Sequence, residues 1–195
     1  MLSKIDTEAP KTGYKPKKCA ACSNSFTPSK RLQKVCGWRC SLDWIAQQRE
    51  KKIRKDIRER KDKLKRRADW IIEAQTAFNA YIRARDINAG HKCIDCGRDF
   101  EPGKPGGAID AGHYLARSLA PQHRFNEDNC YAQKKNCNRP GGTTRAAFRA
   151  GVVARIGLEA VEALEADNAP AKWTIPELKA IRDTYRQKLK QLKQP

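Results

Sequence analysis

His113 sits in the hexapeptide Ile109-Asp110-Ala111-Gly112-His113-Tyr114, which begins thirteen residues after the pair Cys93-x2-Cys96. Three roles are open to such a histidine: a packing residue, a metal ligand, or a base. A neutral imidazole near pH 7 can take a proton from water. A hard ion such as Mg2+ prefers oxygen ligands, which the Asp110 carboxylate and an asparagine carbonyl can supply. The partners that decide between these roles have to come from the rest of the chain.

The cysteines supply the second chemistry. Cys19-x2-Cys22, thirteen further residues and then Cys36-x3-Cys40 approximate the spacing of a four-thiolate zinc finger, in which both thiolates of a pair face one ion about 2.3 Å away. A redox Cys-x-x-Cys is disfavoured by the second pair and by the lack of a thioredoxin-like context. Cys93 and Cys96 form another pair, closed by Cys137 forty-one residues later. The position that would complete it, three before Cys137, is Lys134. Three arrangements remain: Cys130 joins through a wider loop, three protein ligands suffice, or no metal binds. Cys130 is the spare thiol nearby and is expected to complete the second zinc site.

These residues need positioning elements, and composition bounds what those can be. A chain of 195 residues with 41 Lys+Arg against 22 Asp+Glu has net charge +19. A field that positive favours a polyanion. No apolar run approaches bilayer length and the first residues lack the hydrophobic stretch of a signal peptide, so no membrane association is expected. Eight cysteines without a secretion signal point to metal ligation before disulfides.

Five segments follow: a basic tail over 1–17, the zinc finger over 18–40, a long basic helix over 41–89, a loop-rich core over 90–150, and a helical region over 151–195. No Gly or Pro interrupts the stretch from Ser41 to Gly90, and twelve Lys/Arg against four Asp/Glu lie between Arg49 and Arg67. Lys51, Lys52, Arg54 and Lys55 on this helix are expected to contact phosphates, against the alternative of a merely solvated face. Ile57, Leu64, Ile71 and Phe78 recur every seven residues, a thin apolar seam that also offers an interface for a homodimer. Residues 91–150 suit loops with a short hairpin. Helices are expected through Leu158, Val161 and Leu164, and again from Thr174-Ile175-Pro176-Glu177, a capping-box spacing, through Leu178, Ile181, Tyr185, Leu189 and Leu192. Trp38 and Trp44 are expected to pack around the finger, His91 and His123 to be ordinary residues, and Arg124 to clamp a phosphate or form a surface ion pair.

The order Cys93-x2-Cys96, Asp110-Ala111-Gly112-His113, Asn129, Cys137-Asn138 resembles the ββα-metal nucleases of the HNH class. That resemblance implies an α+β fold with a zinc-braced ββα-metal core, His113 as general base, Asn129 as its orienting partner, Asn138 as a ligand to a catalytic divalent ion, and Asp110 as a ligand, an orienter of the imidazole or a hairpin cap. Asp110-Ala111-Gly112-His113-Tyr114, His123 through Asn129, and Cys137-Asn138, together with Phe78–Asp86, Arg155–Gly157 and Lys172–Thr174, are similar to the phage NinG family over nearly the whole chain. This resemblance implies a structure-specific endonuclease acting in the host cytoplasm on branched DNA, such as Holliday junctions and D-loops, during phage recombination. The implied cofactors are structural Zn2+ and a catalytic Mg2+ or similar ion. Against the family pattern, Tyr131 replaces a His, Lys134 a zinc-ligand Cys, and Gly142-Thr143-Thr144 a Ser-Gly-Asn. The rival expectation is a zinc-stabilised DNA-binding recombination factor without cleavage.

Overall fold

The computed structural model describes residues 13–101 and 109–194, and the chain divides into two compact units, 1–64 and 65–195. Among the described residues there are five α-helices and two small sheets, a mixed α+β architecture. Most of the expected tail over 1–17 lies outside the described residues, and Lys17 already belongs to a strand.

In the first unit, β1 (Lys17–Lys18) pairs antiparallel with β2 (Ser25–Phe26), with Lys17 opposite Phe26. Helix α1 (Trp38–Leu64) follows and buries none of its residues. Its stability is local: long straight side chains favour helix, and the i,i+4 pairs Glu50–Arg54 at 2.5 Å and Lys55–Glu59 at 3.8 Å add a few tenths of a kcal/mol each. Trp38 is 71% exposed, against expectation, with the Arg39 guanidinium over its ring; Trp44 is half-buried beneath Lys34.

The single helix expected over 41–89 is in fact two. α1 stops at Leu64 and α2 runs Arg67–Asn88, with Arg66 extended between them (φ −80, ψ 164). Five of the seven residues from Lys61 to Arg67 are basic, and like charges on successive turns weaken a helix. Asp69 then offers a better arrangement, accepting the Arg66 N–H at 2.8 Å and starting a new helix. Lys65 reaches forward to Glu73 at 2.5 Å and over the Trp70 ring. The seven-residue seam breaks at the same place: Ile57 and Leu64 are exposed, whereas Phe78 is buried. The buried stripe is Trp70, Ala74, Phe78 and Ile82, one residue per turn.

That stripe builds the second unit. α5 (Ile175–Leu192) lies parallel to α2: Arg67 near one end donates to the Trp173 carbonyl, and Asn88 at the other to the Leu192 carbonyl. Leu178 and Tyr185 close a core with Trp70, Phe78, Ile82, Phe125 and Cys130, each large apolar side chain contributing about 1.5–3 kcal/mol. α5 begins as expected, with Thr174 and Glu177 capping each other and Pro176 in the first turn.

The hairpin pairs β3 (Ile109–His113) with β4 (Cys130–Lys134) antiparallel, placing His113 opposite Cys130 and Ile109 opposite Lys134. Strand side chains alternate between faces. Ala111 and Cys130 face the α2/α5 core, while Tyr131 joins Ile94, Tyr114, Phe148, Val152 and Val161 in a second core. Phe148 and Val152 come from α3 (Arg145–Ile156) and Val161 from α4 (Leu158–Ala166). The hairpin is therefore held between α2 on one face and α3 on the other.

Two contacts fix this sandwich. Asp86, 1% exposed, accepts the Ala132 N–H of β4 at 2.7 Å and ion-pairs with Arg85 and Arg155. Gly151 lets α3 approach the Cys93–Cys96 segment, since a methyl group there would lie 2.1 Å from the Ile94 carbonyl oxygen.

Candidate active-site cleft and cysteine groups

His113 ends β3 and lines an open cleft of about 480 Å3 together with Ala111, Ala116, Arg117, Ser118, Arg124 and Asn138. Its Nε2 lies 2.9 Å from the Arg124 carbonyl oxygen. A carbonyl can only accept, so Nε2 carries the proton and Nδ1 the lone pair. Burial lowers the imidazole pKa to about 4; the Arg124 carbonyl opposes this, and the Arg117 and Arg124 charges add to it. The ring is thus neutral at physiological pH. Nδ1 lies 3.6 Å from the Cys130 thiol, which burial holds in its protonated form.

Asn129, fully buried, does not touch the imidazole. Its Oδ1 accepts the Leu115 N–H at 2.7 Å, and its Nδ2 donates to the Leu115 and His123 carbonyls, each at 3.1 Å. The expected orienting partner therefore acts one step removed. It pins Leu115, just after β3, and His123, the residue before Arg124, whose carbonyl holds His113. His123 is itself a packing residue, buried with Nε2 3.1 Å from the Leu164 carbonyl.

Asn138 is in the cleft with His113, and its Nδ2 donates to Asp110 Oδ2 at 3.2 Å. This leaves the Asn138 Oδ1 and an Asp110 oxygen as hard donors beside one another. Asp110 alternates with His113 along β3, so it serves neither as an orienter of the ring nor, by side-chain hydrogen bond, as a cap of the hairpin. Gly112 between them packs beneath Gln133, whose Oε1 would lie 1.9 Å from an added methyl.

Arg124 extends to Gln75 Oε1 at 3.2 Å rather than to an acid, so the alternative of a surface ion pair does not hold. Its pKa is lowered by burial and by the neighbouring Arg117 and Arg67 charges. Arg117 was missed from the sequence because an arginine in a polar loop carries no periodicity or spacing. Asp86 was missed as well, since one acid among many on a charged helix gives no sign of burial.

Cys19, Cys22, Cys36 and Cys40 come together with every pair of sulfurs within 4.8 Å. The Cys22–Cys36 distance is 3.8 Å and Cys36–Cys40 is 3.4 Å, at or somewhat under the roughly 3.8 Å that tetrahedral ligands at about 2.3 Å from zinc require. The Cys36 N–H donates to Cys19 Sγ at 3.3 Å. Backbone hydrogen bonds, the largest from Cys22, bring Cys19 down to about 6, whereas its neighbour Cys36 raises Cys40 to about 12. One thiolate forms readily and the last needs a cation, which is the charge state a divalent zinc completes.

Cys93, Cys96 and Cys137 form the second group, also within 4.8 Å. Burial raises Cys96, but the amide and guanidinium of Arg98 outweigh it and bring the thiol to about 7; burial and Cys96 push Cys137 up to about 12. Both groups are compatible with zinc. Cys130 does not join the second group, contrary to expectation. It opposes His113 at one end of the hairpin, whereas Lys134, just ahead of Cys137, opposes Ile109 at the other. Four steps along the strand separate Cys130 from Lys134 by about 13 Å, and the Cys130 side chain is sealed in the α2/α5 core.

On α1, Lys51, Arg54 and Lys55 share one face with Arg58 and line a shallow groove of about 310 Å3. Lys52 falls outside it. Arg54 and Lys55 are partly neutralised by Glu50 and Glu59.

Two thiol groups compatible with a metal, and in the second unit a neutral histidine in a cleft with two arginines, define a small α+β protein with metal-compatible cysteine clusters. Residues 11–194 match the family model described as bacteriophage lambda NinG protein, and the chain belongs to the NinG family. It is 42% identical to protein ninG of Escherichia phage lambda over 69% of this chain and 62% of that protein. It is 35% identical to protein ninG of Escherichia phage 933W over 91% of this chain and 94% of that protein, and 41% identical to protein ninG of Salmonella phage P22 over 69% and 63%. This chain thus spans less than two thirds of the lambda and P22 proteins. No solved structure matches it.

Proposed function

We propose that this chain is a metal-dependent, HNH-like endonuclease that hydrolyses phosphodiesters in branched DNA during phage recombination. The observation that carries the reading is His113: a neutral imidazole with its tautomer fixed by a carbonyl, opening on a cleft that also holds Asn138, Arg117 and Arg124. The two guanidinia draw a phosphodiester to the cleft and hold its non-bridging oxygens. Their charges also keep the imidazole a weak base. A bound phosphate offsets them, so His113 gains basicity when substrate arrives.

Once the ring turns from the Cys130 thiol, His113 Nδ1 takes a proton from water as the water oxygen bonds to phosphorus, while the bond to the leaving sugar oxygen breaks. Asp110 and Asn138 have the oxygen donors to hold a divalent ion such as Mg2+. Such an ion, when bound, supplies stabilisation of charge on the phosphate and the leaving oxygen. Asn129 keeps the loop, and through it the Arg124 carbonyl, in place throughout. The basic groove on α1 contributes affinity without sequence preference.

One observation favours a second reading, a DNA-binding factor without cleavage. The Cys130 thiol lies against the lone pair of Nδ1, so the base acts only when the ring turns from the sulfur. Cleavage of a synthetic four-way junction, with and without Mg2+, separates the two. Mg2+-dependent cutting that is lost in His113→Ala supports the nuclease. Binding without cutting by the wild-type chain supports the other.

A further inference from the structure

We infer that Cys93, Cys96 and Cys137 hold a zinc ion through three thiolates, and that Lys134 leaves its fourth coordination position open to water. The three sulfurs already converge, and Cys93 and Cys137 are buried. Residue 134 stands where the partner of Cys137 in a Cys-x2-Cys pair would be. Its backbone is in place for that duty: the Lys134 N–H donates to Cys93 Sγ at 3.2 Å. Its side chain cannot perform it, because an ammonium has three donors and no lone pair. The ammonium turns instead to the Asp99 carbonyl at 3.3 Å, lacing β4 to the loop after Cys96.

Among the described residues no His, Asp, Glu or further Cys joins the three thiols. The segment 102–108 reads Pro-Gly-Lys-Pro-Gly-Gly-Ala and holds no ligand type. Charge also suits an open site. Three thiolates on Zn2+ carry one net negative charge, and the Arg98 guanidinium, hydrogen-bonded to Cys96, stands beside it. Three protein ligands with water in the fourth position is the coordination of an exchangeable zinc, as against the closed four-ligand finger at Cys19–Cys40.

The test uses the full chain, purified with a phosphine reductant so that no thiol occupies the site. Zinc counting should give two ions per chain in the wild type and in Cys130→Ser, and one in Cys137→Ser. After replacement of zinc by Co2+, titration with a small monothiol should raise the thiolate-to-metal charge-transfer absorption of the wild type. The same titration should leave Lys134→Cys unchanged. Outer-ligand changes alone alter metal affinity by about 10–100-fold, so Lys134→Cys should hold its second ion at least roughly tenfold tighter against a chelator. One zinc in the wild type and two in Lys134→Cys would overturn the inference, because three thiols would then be too few. So would a wild-type cobalt spectrum that ignores added thiol, or loss of an ion in Cys130→Ser.

Discussion

Asn129→Ala separates a side chain that positions the base from one that touches the reaction. The substitution removes three hydrogen bonds, leaving the Leu115 N–H and the Leu115 and His123 carbonyls without that partner in a fully buried site. Each buried group left unpaired costs about 1–3 kcal/mol. The His123 carbonyl keeps the Asn126 N–H at 3.2 Å, so two groups lose their partner; the lower figure for each gives about 2 kcal/mol, and for a unit of this size a fall in Tm on the order of 6 °C. The loop then no longer holds the Arg124 carbonyl against His113 Nε2. The ring should become more exposed, and its pKa should move from about 4 back towards 6.5. Thermal unfolding followed by near-UV circular dichroism gives the first number. An NMR titration of the His113 ring protons gives the second, and single-turnover junction cleavage below the lowered Tm should fall by roughly 10², within the range expected of a general base. An Asn129→Ala protein that melts within about 2 °C of wild type, or whose His113 still titrates near 4, would refute the chain of contacts from Asn129 to the imidazole.

His113→Ala should abolish cleavage, by about 10²–10⁴ in rate, while junction binding stays near wild type; unchanged cutting by a folded variant excludes it as the base. Because the folded imidazole pKa is depressed, stability is fully present above about pH 6.5 and is lost as pH falls through about 4, by up to about 3 kcal/mol. Denaturant melts of wild type and His113→Ala between pH 7 and 4 should therefore converge, and parallel curves would show that the ring is not desolvated. Neutralising Lys51, Lys52, Arg54 and Lys55 together should flatten the slope of log K against log salt by at most about 3.6 on duplex DNA, and by less if the Glu50 and Glu59 pairs already screen two of them; an unaltered slope means a solvated face. Asp86→Ala should destabilise the 65–195 unit by about 3–5 kcal/mol, since it removes the acid that pairs with Arg155 and Arg85 and the acceptor of the Ala132 amide; a urea midpoint near wild type would contradict this.

What the sequence revealed depended on whether a residue's role shows in its spacing. The first cysteine group is written in its spacing because two turns of fixed length bring four sulfurs to one point. The capping box before α5 is equally local. Helix α1 continues until a better start appears at Asp69, and no Gly or Pro marks that competition between two helical registers. Cys130 lay seven residues from Cys137, close along the chain, yet the strand carries it to the far end of the hairpin. The roles of Asn129 and Asp86 depend on contacts across 14 and 46 positions, and Arg117 reaches the cleft from an irregular loop; no pattern of types along the chain encodes these.

The close approach at Gly151 makes α3 a conditional helix. It has 12 residues with a glycine near the middle, shorter than an isolated helix needs in water and weakened by about 1 kcal/mol at that position. What stabilises it is the surface it rests on, and there the Ile94 carbonyl, between Cys93 and Cys96, sits directly over Gly151. With zinc held there as inferred above, its removal should therefore loosen the helix before the α2/α5 core notices. Hydrogen exchange would record this as an order of release: amides of 145–156 first, and those of Phe78 and Ile82 only at global unfolding.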